Sequence, residues 1–178
     1  EPLFHVFWQW VPYSSYRNPI MNPTLPSILF LCTGNSCRSQ MAEGWAKHFH
    51  QDRFAIYSAG IEAHGLNPQA IVVMQEEGVD IASQQSQQLE QLSGIDFDLV
   101  ITVCGHADKN CPVLPTDCLK LHVPFDDPPA LARTAATEEE ALGHYRRVCN
   151  EIREFVERLP EVLGKKFSSS AAIDEDCD

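Results

Sequence analysis

The feature that most constrains this chain is the stretch Cys32-Thr33-Gly34-Asn35-Ser36-Cys37-Arg38-Ser39, set between an apolar run and an amphipathic one. Ile28-Leu29-Phe30-Leu31 reads as a buried strand, and Met41, Ala42, Trp45, Ala46 and Phe49 then recur at helical spacing. A strand that passes through a tight loop into a helix N-terminus gathers backbone N–H groups and the positive end of the helix dipole, a combination that favours an anion. Cys32 stands at the strand end, so its thiol lies at the floor of that ring of amides. Arg38 closes the ring, where a guanidinium fork can hold a tetrahedral oxyanion through paired bonds. A cysteine in such a field ionises more readily than a free thiol.

The rest of the chain alternates strand and helix signals. Phe54-Ala55-Ile56-Tyr57-Ser58 reads as a second strand. Asn67-Pro68 predicts a helix start, a capping side chain followed by proline at the first helical position, with Gly78 as its stop. A shorter helix is expected over 86–93, a third strand from Phe97 to Val103, and a fourth over Leu119–Val123. Next comes the turn Pro124-Phe125-Asp126-Asp127-Pro128-Pro129. Thr137 and Glu140 predict a capping box for the last helix. Its apolar stripe is Leu142, Tyr145, Val148, Cys149, Ile152, Phe155, Val156 and Leu159. Such alternation predicts one α/β domain over 27–164, with a parallel sheet covered on both faces. Ligands of these sheets bind beyond the carboxyl ends of the strands, where the loop, Cys104 and the Asp-Asp-Pro turn all fall.

Outside this domain the readings are simpler. Residues 1–26, rich in aromatics and proline, are expected to be an N-terminal extension that takes no part in the fold; a partner-binding arm is the alternative. They lack the basic and apolar regions of a signal peptide. Residues 165–178, serine-rich and then acidic, read as a disordered tail. A formal charge of −12 argues against nucleic acid and anionic membranes as partners. No apolar stretch is long enough to span a bilayer. The cysteines are Cys32, Cys37, Cys104, Cys111, Cys118, Cys149 and Cys177. Their odd number and irregular spacing suit a reducing compartment, the cytoplasm, with catalytic or metal-binding thiols. Cys104 and Cys111 could hold zinc with His106 and His122, although a lone Cys-x6-Cys is a poor zinc half-site.

Four stretches together resemble the thioredoxin-coupled arsenate reductases of the low-molecular-weight tyrosine phosphatase fold. They are Cys32 to Trp45 (CTGNSCRSQMAEGW), Ser58 to Pro68 (SAGIEAHGLNP), Cys104 through Cys111-Pro112, and Phe125-Asp126-Asp127-Pro128. The resemblance runs from about Ser27 to Leu163 and implies a four-stranded parallel sheet of order 2-1-3-4 flanked by helices. It implies that Cys32 is the nucleophile, Arg38 the oxyanion clamp, Ser39 a support for the thiolate and Asp127 the general acid. Thr33, Gly34, Asn35, Ser36 and Cys37 complete the oxyanion loop. Cys104 and Cys111 become relay thiols, with Cys32–Cys104 and Cys104–Cys111 as successive disulfides. It implies no bound cofactor, arsenate as substrate, and an external reductant, thioredoxin, with glutaredoxin and glutathione as the other choice; a monomer is expected.

Two alternatives need less of the chain. A tyrosine phosphatase requires only Cys32, Arg38 and Asp127, and a non-catalytic oxyanion-binding or redox-sensing module requires only the loop. Asp127 on its own could be turn chemistry before proline; Asp126 is the other carboxylate. Cys118 and Cys149 read as structural, and Cys37 as a loop position that supplies an amide. Some relatives hold potassium beside the loop with an Asn, a Glu, a Ser and an acidic residue. Asn35, Glu43 and Ser58 match, but Gln87 replaces the acid, so little or no potassium binding is expected.

Overall fold

The computed structural model describes residues 25–111 and 118–170, the last six of these as backbone only. Four parallel strands, β1 (Ser27–Cys32), β2 (Ala55–Gly60), β3 (Leu99–Thr102) and β4 (Leu119–His122), form one sheet in the order β2-β1-β3-β4. Ser27 pairs with Ala55 and Cys32 with Gly60 on one side of β1; on the other, Ile28 pairs with Leu99 and Leu31 with Thr102. Ile28, Leu29, Phe30 and Leu31 are each at most 1% exposed. Successive strand residues point to opposite faces, so four buried in a row means that both faces are covered. Complete burial of each such side chain contributes roughly 1.5–3 kcal/mol.

Six helices clothe the sheet: α1 (Arg38–His50), α2 (Pro68–Glu76), α3 (Gly105–Lys109), α4 (Pro128–Ala132), α5 (Glu138–Glu157) and α6 (Leu159–Ser170). α1 packs on β1 and β2, α5 rests against α1, α2 and α4, and α3 lies over β1 and β3. The Asn67 carboxamide oxygen accepts from the amides of Gln69 and Ala70 at the start of α2, and Gly78 takes a positive φ of 79° just past its end. At α5, Thr137 Oγ1 accepts from the Glu140 amide at 3.1 Å. The returning half of the expected capping box differs: Glu140 Oε2 accepts from Ala136 N, one residue further back than the cap.

Other expectations need correction. The segment at 86–93 holds only a 3-10 turn, Leu89–Leu92, and the second and third strands are displaced or shorter than the apolar runs that suggested them. The stripe of the last helix belongs to two helices. Pro160 has no N–H to donate to the Val156 carbonyl, and that carbonyl instead lies 2.8 Å from His50 Nε2. The chain breaks at Arg158, and Leu159, fully buried, opens α6. α6 continues to Ser170, so 165–170, expected as tail, are helical; 171–178, like 1–24, lie outside the described residues. Among the described residues no helix is long and apolar enough to cross a membrane.

Candidate active site

β1 ends at Cys32, and the chain turns through 33–37 into α1. Cys32 is 4% exposed; its Sγ lies 2.9 Å from Ser39 Oγ and accepts from the Asn35 amide at 3.2 Å. The turn is possible because Asn35 adopts φ 44°, a left-handed conformation that asparagine tolerates better than most residues. Four side-chain hydrogen bonds pin it there. Nδ2 donates to Ser39 Oγ and Ser58 Oγ; Oδ1 accepts from Gln40 Nε2 and the Gln87 amide. Every polar valence of this buried carboxamide is used, so the strained residue is held from all sides.

The segment that follows β2 supports the loop from beside it. Glu62 N donates to Thr33 O, His64 N to Gly34 O and Asn67 N to Ser36 O. Gly60 makes this approach possible: a Cβ there would sit 2.1 Å from Glu62 O and 2.7 Å from Asn35 N, both backbone atoms that cannot swing aside. Sequence reasoning read Gly60 only as part of a motif. It also missed Gln40, which bonds Asn35 and the Gln85 carbonyl. Neither glutamine nor glycine carries a spacing signal that could have revealed these contacts.

Arg38 Nη1 donates to Phe125 O at 3.0 Å, and Nη2 pairs with Asp127 Oδ1 at 3.1 Å. The rim arginine and the Asp-Asp-Pro turn are thus one unit. Asp127 stands at the N-cap position of α4 without a side-chain capping bond, and its side chain is 41% exposed, beside the loop. Asp126 faces away and pairs with Arg147 of α5 at 2.8 Å. The two neighbouring carboxylates are separated by the turn, and only Asp127 reaches the loop.

Cys104 follows β3, is buried, and caps α3, its Sγ accepting from the Ala107 amide at 3.4 Å. The same sulfur lies 3.4 Å from Thr33 Oγ1, on the residue after Cys32. Cys111 lies beyond the far end of α3, half-buried. Burial pushes its thiol up; Lys120 opposes that shift and Asp108 adds to it. Burial also raises Cys37 far above the usual thiol range, with Arg38 opposing. Cys149 is pushed up to about 11 by burial and packs on Met74 Sδ at 3.4 Å, a core residue. Cys118 is half-buried and likewise raised by burial. All of the described cysteines are free thiols.

The potassium candidates Asn35, Glu43 and Ser58 do meet, but their oxygens are committed. The Ser58 hydroxyl donates to Glu43 Oε2, Glu43 Oε1 pairs with Lys47, and the Ser58 carbonyl accepts from Gln87 Nε2 at 3.0 Å. Lys47 supplies the positive charge and Gln87 the donor that a cation would otherwise provide, so the residues present do not fit potassium. Equal thermal midpoints in sodium and potassium buffers of matched ionic strength are expected. Gln87→Asp should introduce a potassium-specific rise, because only binding to the native state stabilises it. A large potassium effect in the unaltered protein would contradict this arrangement. His106 and His122 do not join Cys104 and Cys111: no group of three or more His, Cys, Asp or Glu able to hold a metal occurs among the described residues.

A cysteine at the end of a central parallel strand, an arginine at the following helix start and an aspartate before proline thus converge on one loop, an arrangement of the kind that cysteine-dependent phosphatases use. The family model for low molecular weight phosphotyrosine protein phosphatase matches residues 27–169, and the chain belongs to that family. Within it, the chain is 50% identical over 135 residues to an arsenate reductase of Bacillus licheniformis, covering 76% of this chain and 95% of that protein. It is 51% identical over 134 residues to one of Bacillus subtilis, covering 73% and 94%. A solved arsenate reductase in the phosphate-binding state superposes with a TM-score of 0.61 at 34% identity, covering 76% of this chain and 96% of that one.

Proposed function

We infer that this chain is an arsenate reductase that works through a three-thiol relay. One observation carries the reading: a second buried thiol, Cys104, stands 3.4 Å from Thr33 in the oxyanion loop. Hydrolysis of a phosphate ester has no use for it, whereas reduction by thiols requires it. The similarity to named arsenate reductases along most of their length supports the same substrate.

The steps balance as follows. The Cys32 thiolate attacks arsenic, an oxygen leaves as water with a proton from Asp127, and a sulfur–arsenic bond results. The Cys104 thiolate then attacks Cys32 Sγ. The sulfur–sulfur bond forms, and the electron pair of the sulfur–arsenic bond passes to arsenic, which leaves as arsenite. Cys111 attacks Cys104 Sγ, Cys32 departs as thiolate, and the Cys104–Cys111 disulfide remains for an external dithiol. Ser39 and the Asn35 amide stabilise Cys32 as both nucleophile and leaving group. Arg38 and the amides of 33–37 hold the oxyanion. Phosphate, equally tetrahedral, can occupy the ring without being reduced by a thiol.

The test is arsenite production by the purified protein with arsenate, thioredoxin, thioredoxin reductase and NADPH, repeated with glutaredoxin and glutathione to identify the reductant. Hydrolysis of an aryl phosphate with no arsenite formed would make the chain a phosphatase; arsenate binding with neither activity would make it a binding module. Asp127→Asn is expected to lower turnover roughly 10²–10⁴-fold as loss of a general acid. Asp126→Asn, which touches only the Arg147 pair, should be mild. The reverse ranking would show that the wrong carboxylate has been assigned.

A further inference from the structure

α3 has only five residues, too few for a helix to persist on its own. Cys104 caps its start and Cys111 lies two residues past Lys109, its last residue. From Cys104 to Lys109 the helix already rises about 7.5 Å along its axis, whereas a disulfide requires Cα atoms about 4.4–6.8 Å apart. The second exchange of the relay therefore cannot take place with α3 intact, and whatever holds α3 in place opposes that step.

One polar cluster does so. Asp108, in the last turn of α3, receives Lys120 Nζ of β4 on its carboxylate at 2.9 Å and on its own backbone carbonyl at 3.0 Å. The lysine thus pairs with the side chain and also caps the C-terminal end of the helix. Thr102 Oγ1 of β3 donates to Asp108 Oδ1 at 3.2 Å. His122 Nδ1 of β4 lies 2.9 Å from Thr102 Oγ1 and 3.7 Å from Asp108 Oδ1. The threonine hydroxyl has one proton, so its donation to Asp108 leaves its lone pairs for the imidazole N–H, and the order His122, Thr102, Asp108 satisfies each group. Apart from Ala107, which is buried in the core, Asp108 is where α3 is fastened to the strands beneath it.

We propose that Asp108, held by Lys120, Thr102 and His122, is the latch of the relay: it locks α3 in the dithiol form and sets how readily the Cys104–Cys111 disulfide forms. Asp108 touches no reacting atom and is a positioning residue. The contacts exist only while α3 is folded, so they favour the reduced state by the whole of their interaction. Electrostatics point the same way. Lys120, with Thr102 and His122 assisting, holds the Asp108 carboxyl below the usual carboxylate range, and Asp108 in turn helps to keep the Cys111 thiol high. This inference rests on the relay described above.

The experiment compares the full-length protein with Asp108→Ala and Lys120→Met. Each is equilibrated in dithiothreitol redox buffers, and the Cys104–Cys111 couple is quantified by alkylation and peptide mass spectrometry. Losing the latch should shift the equilibrium at least tenfold towards the disulfide, about 30 mV more negative for a two-electron couple. Amides 105–110 of the reduced variants should lose hydrogen-exchange protection, while single-turnover arsenite release, which needs only Cys32 and Cys104, should stay within about twofold of the parent. If Asp108→Ala proves unstable, Lys120→Met alone decides, because it leaves the α3 sequence untouched. An unchanged potential in the variants, with the disulfide forming normally in the parent, would overturn the latch and leave the relay standing. Absence of any Cys104–Cys111 disulfide in the arsenate-treated parent would overturn both.

Discussion

Arg38→Lys is expected to reduce kcat/KM for arsenate roughly 10²–10³-fold, the range seen when one donor to a developing oxyanion is removed. The substitution keeps the charge, so an effect this large would isolate geometry. Arg38 spends its two terminal nitrogens on different partners, Phe125 O and Asp127 Oδ1, from one planar group at the rim of the loop. An ammonium on a flexible stem cannot present two parallel donors to a tetrahedral oxyanion, and it cannot hold the Asp127 turn against the loop while doing so. The loss should therefore fall on kcat as well as KM, because both clamp and acid are displaced. Arg38→Ala and Cys32→Ser should abolish reduction. Steady-state kinetics of Arg38→Lys within about threefold of the parent would mean that the guanidinium fork is not what binds the oxyanion.

Much of this site is legible in the sequence because its signals are local. The run 28–31, the loop to Ser39 and the Asn67-Pro68 cap are each fixed by near neighbours, and the structure puts them where their chemistry suggests. The unread contacts are those that join residues far apart in the chain. Gln87 shows this best: it reaches Asn35, Ser58 and Gly60 through its amide, its side chain and its carbonyl. Its polarity alone says only that an acid is missing. Gly60 is only one letter of a motif until the loop backbone comes within 3 Å of where its Cβ would stand. The last helix failed in the opposite way. Its stripe ran on so regularly through Leu159 that it masked Pro160, although proline was a visible signal and His50, a hundred residues earlier, supplies the partner for the carbonyl it abandons. Asp108 was passed over as a charged residue between two cysteines; only the parallel pairing of β3 with β4 brings Thr102, Lys120 and His122 beneath it.

Cys111→Ser is expected to release one arsenite per protein molecule and then stop, trapped as a Cys32–Cys104 disulfide. The order follows from where the thiols stand. Cys104 is buried against the oxyanion loop through Thr33, the residue next to Cys32, which suits it to the first exchange of the proposed relay. Cys111 is separated from that point by the length of α3 and is more exposed, placed to receive the disulfide afterwards and to pass it to a bulky dithiol protein. Without it, the buried Cys32–Cys104 bridge lacks its resolving thiol, and burial keeps an external reductant from its sulfurs. Cys118 is the one described thiol that could substitute. It is half-buried, and its thiol is raised by burial and, to a lesser degree, by Asp98 and Cys111, which places it in the same electrostatic neighbourhood. Any turnover of Cys111→Ser beyond the first should therefore vanish in Cys111→Ser/Cys118→Ser. Intact mass after arsenate treatment should then show the loss of two hydrogens, and peptide mapping should join 32 to 104. Sustained turnover by the double variant with thioredoxin would mean that Cys104 is resolved directly from outside, and the third thiol would have no place in the relay.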